Sequence, residues 1–528
     1  TTTISLHRDI NDGSLHMHSS GQSVAGDGYV ERGDQKMLGN FGVFLNSGIK
    51  NILSVGFGSG ETTACLAEHN LERIDCVEIA PEMVQVSLEF YNHINLGDKL
   101  NEEVNMIYMD AKNYIHLTDT KYDVIINDSI HPRDFAENAS LYTKEYFESA
   151  KQRLNDNGMI LSWLPTYDMP ASVFDSIIGT QLKVFPYVTI WHLTPHPAPL
   201  ILVAGSKQQQ YYSPKYIDNL MLKENIKYSM TQINIHNSMD VLTCYIADQN
   251  DLIKQMGGFH INSDYSPFVE FTTDDETPHS QMIRKYVVNL RSKSVYDHID
   301  WTGFTEPEKQ KWLTDYKRLY EASSYLFMAY NADSFLNKLQ YCMDGLVVLP
   351  NNPALRDFRK KVEKSLFRIA IGHIQLGKTD QALALADQIL AIYPQSSVAW
   401  IIKSIAIRNK GNLTRALSDA LRSVDLDPES ENAHFNLGFI FFQLGRFEKA
   451  ITEYEETLRF AEQAGNISSY TKVKILDALA AAYYSAGRRE DAINTTQNAL
   501  DIASATGQKQ MAEKLTKQLL SFKAAPAP

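Results

Sequence analysis

NILSVGFGSGETTACLAEHNLERIDCVE, running from Asn51 to Glu78, reads as strand, glycine turn, helix and strand. An apolar run (Ile52, Leu53, Val55) enters Gly56-Phe57-Gly58-Ser59-Gly60, a helix-forming segment follows, and Ile74 to Val77 ends on Glu78. Glycines let a backbone approach a ligand closely, and a helix that starts there points free N–H groups and its positive dipole end at it. An acid at the tip of the next strand can accept both hydroxyls of a ribose. The stretch is therefore a nucleoside-binding βαβ unit and marks an enzyme. A glycine turn alone is a weak signal, and two more acids strengthen it. Val104 to Tyr108 reads as a third strand ending in Asp110-Ala111, where the acid can bond an adenine amino group. Tyr122 to Asn127 reads as a fourth, ending in Asp128. A solvated acid capping a strand end would account for one of these. Three in succession fit a ligand site at the carboxyl ends of an open α/β sheet.

At 528 residues the chain exceeds one hydrophobic core, so several domains are expected. Its 50 basic and 63 acidic residues give a net charge of −13, which disfavours nucleic acid and suits a cationic substrate. No window approaches 18 apolar residues, so no membrane span is expected. The opening TTTISLHRD lacks the apolar centre of a signal peptide. The reading is a cytoplasmic chain, or the soluble part of a membrane-anchored precursor, since no initiator Met is present. Cys65, Cys76, Cys244 and Cys342 show no metal-ligand spacing, so no metal is expected and a reducing compartment fits.

Residues 2–7 and 14–19 are expected to pair as a hairpin across Asn11-Asp12-Gly13. A glycine-containing stretch, Gly21 to Gly33, then leads to a short helix over 35–45. This element is assigned to 1–48 and the α/β domain to 49–271, with later helices at 143–154 and 171–184 and strands at 159–164, 188–193 and 200–204. The polar stretch Thr272 to His279 opens a linker and helical connector, 272–352. From 353 to 528 the chain repeats. Gly377, Gly411 and Gly445 are 34 residues apart, as are Ala382, Ala416 and Ala450. Gly487 and Ala492 follow after a longer interval, which implies an eight-residue insertion around Glu462–Ser469. The pattern resembles tetratricopeptide repeats, helix pairs that bury their apolar faces only by stacking, and 508–523 reads as a capping helix.

With these elements in order, the chain resembles the spermidine synthase (polyamine aminopropyltransferase) family over about residues 1–205, in its long bacterial fused form. The residues that carry the resemblance are Gln35, the Gly56–Gly60 turn, Val77-Glu78-Ile79, Asp110-Ala111, Asp128-Ser129-Ile130-His131-Pro132 and Leu141 to Phe147. Asn262 to Pro267 extends it to about 271. The fold class implied is a Rossmann-like, class I S-adenosylmethionine-type α/β domain with a small N-terminal β element, followed by an all-α repeat solenoid. The resemblance implies that Gly56, Gly58, Ser59, Gly60 and Ala111 line the site of decarboxylated S-adenosylmethionine. Glu78 would hold the ribose, Asp110 the adenine edge, Gln35 would lie against the nucleoside, and Asp128 would be the catalytic acid.

The departures concern the amine. Ser59 stands where the family carries an aspartate for the donor's ammonium, and His131 where a second acid approaches the diamine. Trp163 replaces a glutamine, and Asp34 stands where an aromatic is common. Glu31, Asp134, Glu137 and Asp168 are acids that could substitute. His131 reads as an acceptor, a proton relay or a loop residue. Trp163 and Tyr167 read as walls of a substrate pocket, or Trp163 as core. The leading function is aminopropyl transfer from the decarboxylated donor to a small-molecule amine, with the repeats recruiting a protein partner or driving self-association into a homo-oligomer. Two alternatives stand beside it: a methyltransferase that uses ordinary S-adenosylmethionine, and a decayed scaffold that acts through its repeats.

Overall fold

A computed structural model describes the chain except residues 1–2, 11–12, 98–99, 130, 134–135, 194–199, 273–282, 284–286, 464–466 and 525–528. The Asn11-Asp12 turn, Ile130, Asp134, the Glu137 side chain and the linker beyond Thr272 thus lie outside the described residues. Two compact units divide the chain. One comprises Thr1–Asn331 with Gly345–Ala354, the other Ala332–Asp344 with Leu355–Pro528.

In the first unit a small antiparallel sheet comes first, and it has three strands rather than the expected two: β1 (Ile4–Arg8), β2 (Leu15–Ser19) and β3 (Gln22–Gly26). Ser19 pairs with Gln22 across Ser20-Gly21, both at positive φ (50° and 88°). That backbone matches the twist of a two-residue hairpin, so a glycine read as loop is a turn. The next helix, α1 (Tyr29–Leu45), starts earlier than expected and carries Gly33 inside it. Burial of Met37, Leu38, Phe41 and Phe44 on one face outweighs the poor helix propensity of that glycine.

The central sheet holds eight strands: β4 (Asn51–Val55), β5 (Arg73–Glu78), β6 (Asn105–Tyr108), β7 (Tyr122–Asn127), β8 (Leu154–Pro165), β9 (Tyr187–His192), β10 (Leu200–Ser206) and β11 (Tyr245–Asp248). Their order is β11-β9-β10-β8-β7-β4-β5-β6. Neighbours from β6 to β8 are parallel, and those from β8 to β11 antiparallel. The edge strand β11 escaped the sequence reading because its four residues are all buried and show no alternation. Elsewhere the two-residue period divides the core cleanly. Ile52, Val124, Ile126 and Leu161 face α1, whereas Leu53, Val55, Ile125 and Ile160 face α5 (Lys144–Arg153) and α6 (Ala171–Val184). Between β4 and β5 lies α2 (Glu61–Ala67), α3 (Pro81–Phe90) follows β5, and α4 (Ala111–Leu117) follows β6.

Residues assigned to a connector pack on this unit instead. In α7 (Glu306–Asn331), Trp312, Tyr316 and Tyr320 join the core around Trp191 and Tyr245. Tyr316 donates to the Leu242 carbonyl at 2.8 Å and Tyr320 to that of Ser292 at 2.7 Å. Aromatic residues at this spacing fill one helix face, which requires a surface to cover.

The second unit is helical. From α8 (Pro353–Gln375), the helices α9 (Thr379–Ile392), α10 (Ser397–Asn409), α11 (Leu413–Leu426), α12 (Glu431–Gln443), α13 (Phe447–Gln463), α14 (Ser469–Ser485), α15 (Arg489–Ala505) and α16 (Lys509–Ala524) succeed one another. Gly377, Gly411, Gly445 and Gly487 all take positive φ at the turn inside each pair. Ala382, Ala416, Ala450 and Ala492 are fully buried, where a larger side chain would separate the helices. The inserted residues lengthen α13 and α14 to 17 residues each.

Candidate active site

The chain passes from β4 outward to β5 and β6, then crosses to the other side of β4 for β7. The carboxyl ends of β4 and β7 are thus a topological switch point, where an open sheet leaves a crevice. Both ends are pinned there. The Gly56 amide donates to the Val77 carbonyl (2.8 Å) and the Asp128 amide to that of Val55 (2.9 Å). Gly56 has φ +92°, and a Cβ on it would lie 2.5 Å from the Asp128 carbonyl oxygen. Gly60, at φ +83°, abuts Phe57 and Asn95. Gly58 is open except for Ala25 of β3, so the small N-terminal sheet borders the turn.

Glu78 reaches back into this turn. One carboxylate oxygen accepts from the Phe57 amide (3.0 Å) and the other from the Ala80 amide (2.9 Å). Burial pushes its carboxyl up, against the pull of those amides. Asp110 caps α4 by accepting from the Asn113 amide at 2.8 Å, and Ala111 is the buried first residue of that helix. Ile79 and Tyr108, more than half exposed, flank the two acids with apolar surface. The sequence reading missed this flank, although an apolar residue within two positions of each strand-end acid was its signal.

Ser59 and Gln35, singled out separately, meet: the Ser59 hydroxyl donates to the Gln35 side-chain carbonyl. Ser59 is buried, and Asn95 donates to its carbonyl at 2.9 Å. On the same helix, Arg32 and Lys36 sit at i and i+4 and both pair with Glu61, at 3.0 and 3.8 Å. Sequence reasoning overlooked this cluster. A carboxylate already occupies the start of α2, and burial pushes it up despite the two cations. With Glu78, Asp110 and Asp128 around the same turn, the crevice is poor for a phosphate and suited to an uncharged or cationic nucleoside.

Asp128 lies at the end of β7, partly exposed to the crevice. Burial pushes its carboxyl up to about 7, with the neighbouring Thr62 hydroxyl acting in the opposite direction. His131 is buried and braces the loop beyond: its Nδ1 accepts from the Arg133 amide (3.2 Å) and its Nε2 meets the Tyr167 carbonyl (3.1 Å). The first contact makes Nδ1 an acceptor, so the proton on Nε2 is donated to Tyr167. The two rings lie 5.6 Å apart. Trp163 sits within β8 opposite Leu202, and both it and Tyr167 pack against the core on the α1 side of the sheet. Asp168 is exposed and holds a left-handed backbone (φ 47°) in the turn before α6. Asn262, fully buried, ties the later motif to this region by accepting from the Val269 amide (3.1 Å) and donating to the Tyr142 carbonyl (3.1 Å). Among the described residues, no three His, Cys, Asp or Glu side chains are grouped to hold a metal ion, and no helix is long and apolar enough to cross a membrane.

Comparison with known proteins gives the family. The spermine/spermidine synthase domain family matches residues 31–198. The polyamine aminopropyltransferase of Agathobacter rectalis is 30% identical over 241 residues, covering 43% of this chain and 83% of that protein. The chain belongs to the polyamine aminopropyltransferase family. The Clostridium beijerinckii member is 29% identical over 211 residues, 38% of this chain and 72% of that one. A solved spermidine synthase in complex with the transition-state analogue AdoDATO is 18% identical, with a TM-score of 0.36, covering 44% of this chain and 82% of that one. Tetratricopeptide-repeat families match 367–431 and 429–505. The chain is therefore a transferase of the aminopropyltransferase type fused to tetratricopeptide repeats.

Proposed function

We propose that this family member moves an aminopropyl group from decarboxylated S-adenosylmethionine to an alkylamine. The observation that carries the reading is the half-buried Asp128 at the switch point, facing the turn whose amide is bound by Glu78. Glu78 would take the ribose hydroxyls, Asp110 the adenine amino group, and Ile79 and Tyr108 the faces of the base. A free alkylammonium has a pKa of about 10 and is not a nucleophile until it loses a proton. Asp128 would accept that proton. The nitrogen then forms a bond to the donor's methylene, the C–S bond breaks, and the electron pair leaves with sulfur as the neutral thioether methylthioadenosine. Orientation of the three reacting atoms supplies much of the remaining acceleration. The repeats would recruit a protein partner or a second copy of the chain.

One observation favours a second reading. Ser59 presents a hydroxyl, already engaged by Gln35, where the family's donor-gripping carboxylate stands. An ordinary S-adenosylmethionine would then meet no repulsion from position 59, and the transferred group would be methyl. Incubation of the protein with each donor and a panel of diamines, followed by mass spectrometry, separates the two. The proposal expects methylthioadenosine and an amine heavier by one aminopropyl unit. S-adenosylhomocysteine with a methylated amine would replace it. Within the same assay, Glu78→Ala is expected to weaken adenosine-ligand binding roughly ten- to hundredfold by removing a charge-assisted contact. Unchanged affinity would remove Glu78 from the ribose site.

A further inference from the structure

Asp34 has no place in the scheme above, yet it is the most unusual side chain near the crevice. It lies on α1 beside Gln35, is 6% exposed, and its Oδ1 is buried with no hydrogen-bond partner among the described residues. Buried carboxyls are ordinarily paired or bonded, because leaving one without a partner is costly. The cations that could have served it, Arg32 and Lys36 on the same helix, are committed to Glu61. The groups whose charge reaches Asp34 are instead two more acids, Glu31 one turn earlier and Asp128 across the crevice, and both add to burial in raising its carboxyl. The Glu31 side chain is 43% exposed and lies 3.9 Å from the His16 ring nitrogen. These acids are not grouped to share a metal ion. The next residue, Gln35, meets Ser59 of the glycine turn, and the same turn abuts Asp128 through Gly56. A buried acid without a partner thus lies beside the crevice that holds a second acid, an arrangement complementary to an organic cation.

We propose that Asp34 is the acceptor-binding acid of this protein, gripping the ammonium of a cationic alkylamine between itself and Asp128. This rests on the aminopropyl-transfer reading and specifies its acceptor as a cation held from the α1 side. The arrangement compensates for the family's missing acid at His131, whose two ring nitrogens are spent on the loop. Entry of the ammonium allows both carboxyls to ionise, so a proton leaves as the amine binds. Asp34 then stays charged and holds the nitrogen in line while Asp128 receives its proton.

The test uses the full chain, with 1,4-diaminobutane as the probe amine. Calorimetric titration of the amine into protein saturated with methylthioadenosine reads acceptor binding without any turnover. Asp34→Asn, isosteric and uncharged, is expected to weaken amine binding roughly ten- to hundredfold while leaving methylthioadenosine affinity unchanged. Asp34→Glu is expected to recover part of the loss, which a packing role would not allow. In turnover, the loss should fall on the acceptor KM more than on kcat. Equal amine binding by wild type and Asp34→Asn, or no amine binding by wild type, overturns the assignment. If wild type binds the amine through Asp34 but transfers no aminopropyl group, the acceptor site stands and the reaction reading fails alone.

Discussion

Asp128→Asn is expected to lower kcat by roughly 10²–10⁴-fold, the usual contribution of a positioned proton acceptor. Affinity for the adenosine part of the donor should change little, because Glu78 and Asp110 remain. The pH dependence follows from the carboxyl held at about 7. Only its ionised form accepts a proton, so kcat/KM in the wild type should rise through about pH 7 and level off above. The asparagine variant should lose that limb. Stability gives a second readout of opposite sense. Asp128 titrates near 4 when unfolded, so the folded chain binds its proton more tightly. Its favourable contribution is complete below about pH 4 and is lost as pH rises through 7. Asparagine has no such loss, so the variant's melting temperature should gain on that of wild type between those limits. A variant that turns over normally would remove Asp128 from the mechanism.

Gly56→Ala is the second large effect. The new methyl would meet the Asp128 carbonyl oxygen at 2.5 Å and its carbon at 3.2 Å, and neither is a flexible side-chain end. The residue must also keep φ +92°, where alanine is strained. Strain of about 1–3 kcal/mol is expected. Relief by parting β4 from β7 would displace the Asp128 carboxyl, and under the proposed role a shift near 1 Å costs on the order of a hundredfold in rate. Gly58→Ala is the control: it shares the positive φ (+54°), but its Cβ would find only Ala25 at 3.7 Å. Thermal melts and kcat should therefore fall far more for position 56 than for position 58. Equal losses would show that the turn is sensitive throughout, without a special contact at the strand ends.

Much of this was legible in the sequence because the signals were local. The strand-turn-helix from Asn51 to Glu78 carries its own period and punctuation, and the repeats announce themselves by glycines and alanines in phase. The acids at strand ends needed only the rule for open sheets. What escaped depended on distant partners. Tyr245–Asp248 is a strand only because β9 offers an edge, and the aromatic face of α7 has meaning only against the sheet's core. The pairing of Arg32 and Lys36 with Glu61 spans a loop, the strand β4 and the glycine turn, so spacing alone could not reveal it. Asp34 was visible as a departure from the family pattern. Its lack of a partner and its approach to Asp128 appear only once α1 is docked.

The proposed reaction stands or falls on a decarboxylated sulfonium nucleoside in the crevice. Isothermal titration of the full chain with decarboxylated and with ordinary S-adenosylmethionine, under one set of conditions, reads this choice. Clear preference for the decarboxylated donor is expected, because the carboxyls of Asp128 and Asp34 at the crevice disfavour a further carboxylate there. Preference for the ordinary donor, or binding of neither, would contradict it.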